Sequence, residues 1–254
     1  MRSAFDDDGV GTTSDVTGPM PDRIDVSQFF EAGADAVDFN APLGQVRAVA
    51  LVEALSRFQP DTVVDLGCGR GELSRMVASR LSQATVIGVD TDAPSIRAAA
   101  TLAEAQSVGD RVRFEIGDAA AWVGSADAAL CVGASHALGG LGGMLTKLSQ
   151  VVPSGMAIIG DGIFQSDPDP WCIETFGHLP VGIPALVAEA VAAGWTVLEA
   201  DASSLEEWDD FERTWTAGVR SLGTEEAVAF ADEREREYRR YRGVLGFGWL
   251  VLTR

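Results

Sequence analysis

Residues 63–74, Val-Val-Asp-Leu-Gly-Cys-Gly-Arg-Gly-Glu-Leu-Ser, leave this chain very few ways to fold. Val63 and Val64 end a short β-branched run of the kind a buried parallel strand needs. Gly67, Gly69 and Gly71 allow a tight turn in which backbone can approach a ligand closely. A helical pattern runs from Glu72 to Leu81, so the turn opens on a helix N-terminus with unpaired N–H groups and a partial positive charge. Asp65 is the distinguishing residue. A carboxylate at the strand end, just before the glycines, would repel a pyrophosphate and attract an ammonium group.

The spacing Asp-x-Gly-x-Gly-x-Gly departs from the dinucleotide fingerprint, because position 72 is Glu where that pattern requires Gly. Two more strands extend the argument. Ala84 to Asp90 is an apolar, β-branched run ending in a carboxylate about 21 residues after Gly69, the spacing at which a second strand presents an acid to ribose hydroxyls. A helix follows from Pro94 to Ala105, with Asp92 as its N-cap. Val112 to Ile116 is a third strand, closed by Gly117-Asp118.

These three strand ends resemble the first three motifs of the class I S-adenosylmethionine-dependent methyltransferases, and the resemblance covers residues 35–165 well. It implies an α/β fold, a Rossmann-like seven-stranded, mostly parallel sheet with an antiparallel last strand, helices on both faces and a helical cap insertion. It implies S-adenosyl-L-methionine as cofactor and S-adenosyl-L-homocysteine as product. Carried over position by position, it puts Asp65, Gly67, Cys68 and Gly69 at the amino-acid end of the cofactor and Asp90 and Thr91 at the ribose. Asp118, Ala119 and Ala120 would border the adenine, and Asn40, Arg47 and Gly133 would complete the cofactor shell. Segments 39–43, 133–137 and 241–247 look like those of bacterial small-molecule methyltransferases. Other enzymes on the same fold (aminopropyl- or carboxymethyl-transferases, cyclases) and a non-catalytic cofactor-binding regulator stay open.

The 254-residue chain carries a net charge of −19. A nucleic-acid enzyme needs a basic groove, and no Lys/Arg stripe with aromatics is present. Arg234, Arg236, Arg239, Arg240 and Arg242 do cluster, but Asp232, Glu233, Glu235 and Glu237 are interleaved with them. Asp232 with Arg236, and Glu235 with Arg239, are i,i+4 pairs, so the segment reads as a solvated, self-paired helix. A small-molecule partner is expected, with no nucleic acid, no membrane, and a monomer or homodimer. No apolar run reaches bilayer length, and no basic-then-apolar leader opens the sequence. Cys68, Cys131 and Cys172 have no metal-like spacing and read as reduced thiols of a cytoplasmic protein.

Residues 1–22 read as a loose acidic arm, and 23–254 as one methyltransferase domain. Within it, helices at 25–36 and 43–58 cover the cofactor, while 165–184 and 203–242 supply lid and cap. The fourth strand ends before Gly133-Ala134-Ser135-His136, and the fifth (156–160) before Asp161. His136 is the leading catalytic candidate, since its loop leaves a strand end and an imidazole titrates near neutral pH. Asp161, as a strand-end carboxylate, is the second. No acidic cluster suggests a metal. Phe164, Trp171, Trp208 and Tyr241 are candidate substrate contacts. Trp208, Phe211 and Trp215 share one helix face, a pattern that favours core packing over a substrate wall. His178 reads as a polar surface residue of the lid.

Overall fold

Val63, Val64 and Leu66 are almost completely buried because their strand lies in the interior of a sheet covered on both faces. The computed structural model describes residues 26–254, so the expectation for residues 1–22 lies outside the described residues. The sheet comprises β1 (Thr62–Leu66), β2 (Thr85–Asp90), β3 (Val112–Ile116), β4 (Ala128–Val132), β5 (Met156–Phe164), β6 (Thr196–Ala202) and β7 (Leu245–Thr253). Its order is β3-β2-β1-β4-β5-β7-β6. β7, inserted between β5 and β6, runs antiparallel to both, and the other strand pairs are parallel. The strand order reverses between β1 and β4, and a ligand crevice is expected at that switch point, beyond the carboxyl ends of the strands.

α2 (Gln45–Phe58) and α3 (Glu72–Arg80) cover one face. Leu51, Leu55 and Val77 pack there with Val63, Val86 and Ile158. α5 (Leu141–Val151) and α7 (Gly182–Ala192) cover the other, where Leu145, Leu148 and Leu186 meet Val64, Ile159 and Leu250. α4 (Ala93–Ala105) connects β2 to β3, and Asp92 caps it by accepting the Ser95 N–H at 2.8 Å. Among the described residues no helix is long and apolar enough to cross a membrane.

A third apolar cluster lies off the sheet. α1 (Ser27–Ala36) packs on α8 (Leu205–Arg220) and α9 (Glu225–Tyr241), and Phe29, Trp215, Val219, Ala227 and Ala231 form its centre. Gly33 makes the approach possible: a Cβ there would lie 2.2 Å from the Trp215 ring. The lid segment 165–184 holds α6 (Pro170–Phe176), capped by Asp169 through the Cys172 N–H.

Two expectations are corrected here. β5 continues past residue 160 to Phe164, because Asp161, Gly162, Ile163 and Phe164 pair antiparallel with β7. Asp161 is therefore inside a strand rather than beyond its end. The basic residues of α9 are also not i,i+4 self-paired. Asp232 and Glu235 both bind Arg220 of α8, Arg236 binds Glu233, and Arg234 binds Glu212 of α8. Arg236–Glu233 is a pair within α9, whereas the other three join α9 to α8.

Candidate active site

At the end of β1 the chain enters its glycine turn, with Gly67, Gly69 and Gly71 all at positive φ. A side chain at Gly67 would be strained by that φ of 78°, and its first carbon would lie 2.2 Å from the Ala134 Cβ, an outright collision. The backbone N–H groups of Gly67 and Cys68 donate to the Val89 carbonyl at 2.8 and 3.1 Å, which pins the turn to β2. Asp90 holds the same turn from the other side. Its Oδ2 accepts the Gly69 N–H at 2.8 Å and its Oδ1 the Asp92 N–H at 2.9 Å. A carboxylate oxygen has lone pairs to spare beyond these, so Asp90 can still accept hydroxyl hydrogens.

Asp65 is 3% exposed, and its Oδ2 accepts the Ser74 hydroxyl at 2.7 Å. Burial pushes its pKa up to about 7, against the Ser74 hydrogen bond and with a smaller contribution from Asp90. Such a carboxylate is poised for a cationic partner that would repay its desolvation. The Cys68 thiol is driven up by burial and by the charges of Asp65 and Asp90, so it is not a nucleophile.

A cavity of about 940 Å³ opens over the turn. Asp65, Gly67, Cys68, Gly69, Asp90, Thr91, Ala119, Gly133 and Asn40 line it, as expected for a cofactor shell. Asp118 and Ala120 stand beside it rather than in its lining, and the exposed Asp118 carboxylate accepts the Ala120 N–H at 2.8 Å. Arg47 does not reach the cavity. It is held by Glu207, with Nε to Oε1 at 3.0 Å, and by Asp201, which ties α2 to the start of α8. Glu207 also closes the capping box with Ser204, so Arg47 is structural.

The far side of the cavity is aromatic. Trp171 and Phe176 of α6, Trp208, Phe211 and Trp215 of α8, Tyr241 of α9 and Phe247 of β7 line it. The stripe on α8 both packs and lines: Trp208 and Trp215 are each 2% exposed. Trp208 Nε1 is the buried side-chain polar atom left without a partner among the described residues. Phe164 is not in the wall. It points into the core at 1% exposure because β5 runs longer than expected.

His136 lines the cavity from a 3-10 turn, Ser135–Leu138, and is exposed. Asp161 does not line it. Its Oδ1 accepts the Ser135 hydroxyl and the Gly162 N–H, both at 2.9 Å. Burial raises its pKa against those two hydrogen bonds and the nearby His136. Asp161 thus anchors the turn that carries His136. His178 is exposed and outside the lining.

Sequence reasoning passed over three lining residues. Arg70 sits within the glycine turn and is bound by Asp35 of α1. Arg234 is gripped by the buried Glu212, Nε to Oε2 at 2.8 Å and Nη2 to Oε1 at 3.0 Å, with its guanidinium 3.8 Å from the Trp215 ring centre. Glu237 follows one turn later on α9. The interleaved charges of 232–242 hid them, because only the packing of α9 on α8 shows which side faces the cavity.

A family profile described as a methyltransferase domain matches residues 63–155. A solved S-adenosylmethionine-dependent methyltransferase from Geobacter sulfurreducens, in complex with S-adenosyl-L-homocysteine, superposes with a TM-score of 0.80. It is 26% identical, and the match covers 89% of this chain and 98% of that one. Residues 63–155 thus match a methyltransferase domain, and the whole fold is similar to that of the S-adenosylmethionine-dependent methyltransferases. Within this chain, 74 residues are 35% identical to a trans-aconitate 2-methyltransferase of Streptomyces avermitilis, covering 29% of this chain and 27% of the relative. A 58-residue stretch is 45% identical to a methyltransferase, ungE', of Aspergillus campestris, covering 23% of this chain and 17% of that relative. The matches thus span less than a third of the length of these curated relatives.

Proposed function

We propose that this methyltransferase moves a methyl group from S-adenosyl-L-methionine to a small-molecule acceptor. One observation carries the reading: the glycine turn with its two acids and the aromatic wall belong to a single cavity. Donor and acceptor can therefore lie end to end, as an in-line displacement requires. The cofactor supplies an activated methyl on a sulfonium, so the protein's tasks are to bind, align and exclude water.

Asp65 would hold the ammonium group, as a buried carboxylate with an elevated pKa gains most from a cation. Asp90 would accept ribose hydroxyls. Gly67 and Gly69 leave the turn bare of side chains, and Ala119 and Thr91 border the remaining wall. His136 would take a proton from the acceptor where the nucleophile arrives protonated, and the Asp161–Ser135 pair holds its turn in place. Three free cysteines suit a reducing, cytoplasmic setting.

Calorimetry with S-adenosyl-L-homocysteine and with NADH tests the donor half, and binding of NADH alone would overturn the reading. Transfer of labelled methyl to a metabolite extract tests the chemistry. His136→Ala should then lower kcat by about 10²-fold or more while S-adenosyl-L-homocysteine affinity is retained. An unchanged kcat would remove His136 from the mechanism.

A further inference from the structure

The lining of the cavity is charged in one direction. Eight of its residues bear carboxylates, Glu237 among them, against two guanidinium groups, Arg70 and Arg234. Both cations are already engaged, Arg70 by Asp35 and Arg234 by the bidentate Glu212. An anionic acceptor would have to break one of those pairs. Glu237 is different. It is half-buried on α9, lines the cavity, and has no hydrogen-bond or ion-pair partner among the described residues.

The groups around Glu237 account for its state. Burial raises its pKa, the Glu233 and Glu212 charges raise it further, and Arg234 opposes them. The Arg234 hydrogen bonds go to Glu212, so Glu237 is left without a direct partner. The same cavity presents Trp171, Phe176, Trp208, Phe211 and Tyr241. Aromatic faces attract cations through their quadrupole, and desolvation strengthens the attraction. A carboxylate without a direct partner, in a cavity walled by aromatic rings, is a receptor for an organic cation.

We infer that the methyl acceptor is a small amine with an apolar body, its ammonium group received by Glu237 within the aromatic wall. This rests on the methyl-transfer reading only in taking that half of the cavity as the acceptor's place. Glu237 sets specificity by charge, and the rings provide the apolar contact.

The test uses three probes of similar size: 2-phenylethylamine, 2-phenylethanol and 3-phenylpropionate. Each is titrated by calorimetry into the full chain, with and without S-adenosyl-L-homocysteine. The amine should bind at least about tenfold tighter than the alcohol, the size of one partly desolvated cation contact, and the carboxylate weakest. Glu237→Gln should abolish the preference for the amine over the alcohol with an unaltered melting midpoint. The inference is overturned if the carboxylate binds best, if none of the three binds, or if folded Glu237→Gln keeps the amine preference. Absent S-adenosyl-L-homocysteine binding would instead count against the methyl-transfer reading, and the amine preference of the unliganded protein would still be read.

Discussion

Asp65 bears a charge in the part of the site least able to solvate it, and its behaviour with pH follows. Its folded pKa of about 7 lies above the ordinary carboxylate value of 3.8. Between those values the native state keeps a proton that the unfolded chain has released. The stability this residue contributes is therefore complete below about pH 4 and is lost as pH rises through about 7. Asp65→Asn, which stays neutral and can keep a bond to Ser74, should melt higher than the parent at pH 8, with the difference shrinking as pH falls and vanishing only below about pH 4. Its affinity for S-adenosyl-L-homocysteine should fall by about 10- to 100-fold, the worth of a charge-assisted hydrogen bond. The parent's affinity should itself decline below pH 7 as the proton competes with the ammonium. Paired melting curves and calorimetry across that range decide it. A mutant that melts lower at pH 8 would place the cost elsewhere.

Among the elements, the contact of α1 with α8 holds α1 against the cavity it helps to line. Gly33 meets the Trp215 ring, and Trp215 cannot retreat because it is 2% exposed with Arg234 against its face. Gly33→Ala gains about 1 kcal/mol of helix propensity but overpacks a filled contact at about 1–3 kcal/mol. The expected net result is a lower melting midpoint and weaker cofactor binding, since Phe30, Ala34 and Asp35 of α1 line the cavity. A rise in both would show that α1 is not held by this contact. The elements around Asp65, Asp90 and Gly117 were legible because each strand, turn and helix is local, and its signal lies within ten or so residues. What escaped depends on distant partners. β5 is lengthened by β7, which removes Asp161 and Phe164 from the site. Arg47 is claimed by Glu207, 160 residues away. Glu212, Arg234 and Glu237 gain their roles only when α9 lies on α8, and a charged helix read alone looks solvated on every side.

For the molecule as a whole, a net charge of −19 sets a field that draws in cations and holds off anions. Capture of the amine probe should therefore slow as sodium chloride rises from low ionic strength to about 1 M, whereas binding of the alcohol should be nearly indifferent to salt. Stopped-flow traces for the two probes provide the comparison, and equal salt slopes would show that the field has no part in recognition. The family match, for its part, ends where the donor half of the cavity does. Residues 63–155 hold the glycine turn and its acids, whereas the aromatic wall comes from α6, α8, α9 and β7, after that stretch.

The packing of α1 on α8 also bears on how the protein is made. Trp215, which fills the space over Gly33, leaves the ribosome about 180 residues after it. Domains tend to form as their segments emerge, at about 5–20 residues per second. The sheet from β1 to β5 can thus assemble while the aromatic surface of α1 waits uncovered for some ten seconds or more. A chaperone that shields Phe29 and Phe30 during that interval, or slow synthesis through α8, would alter the yield of folded protein without altering its final structure.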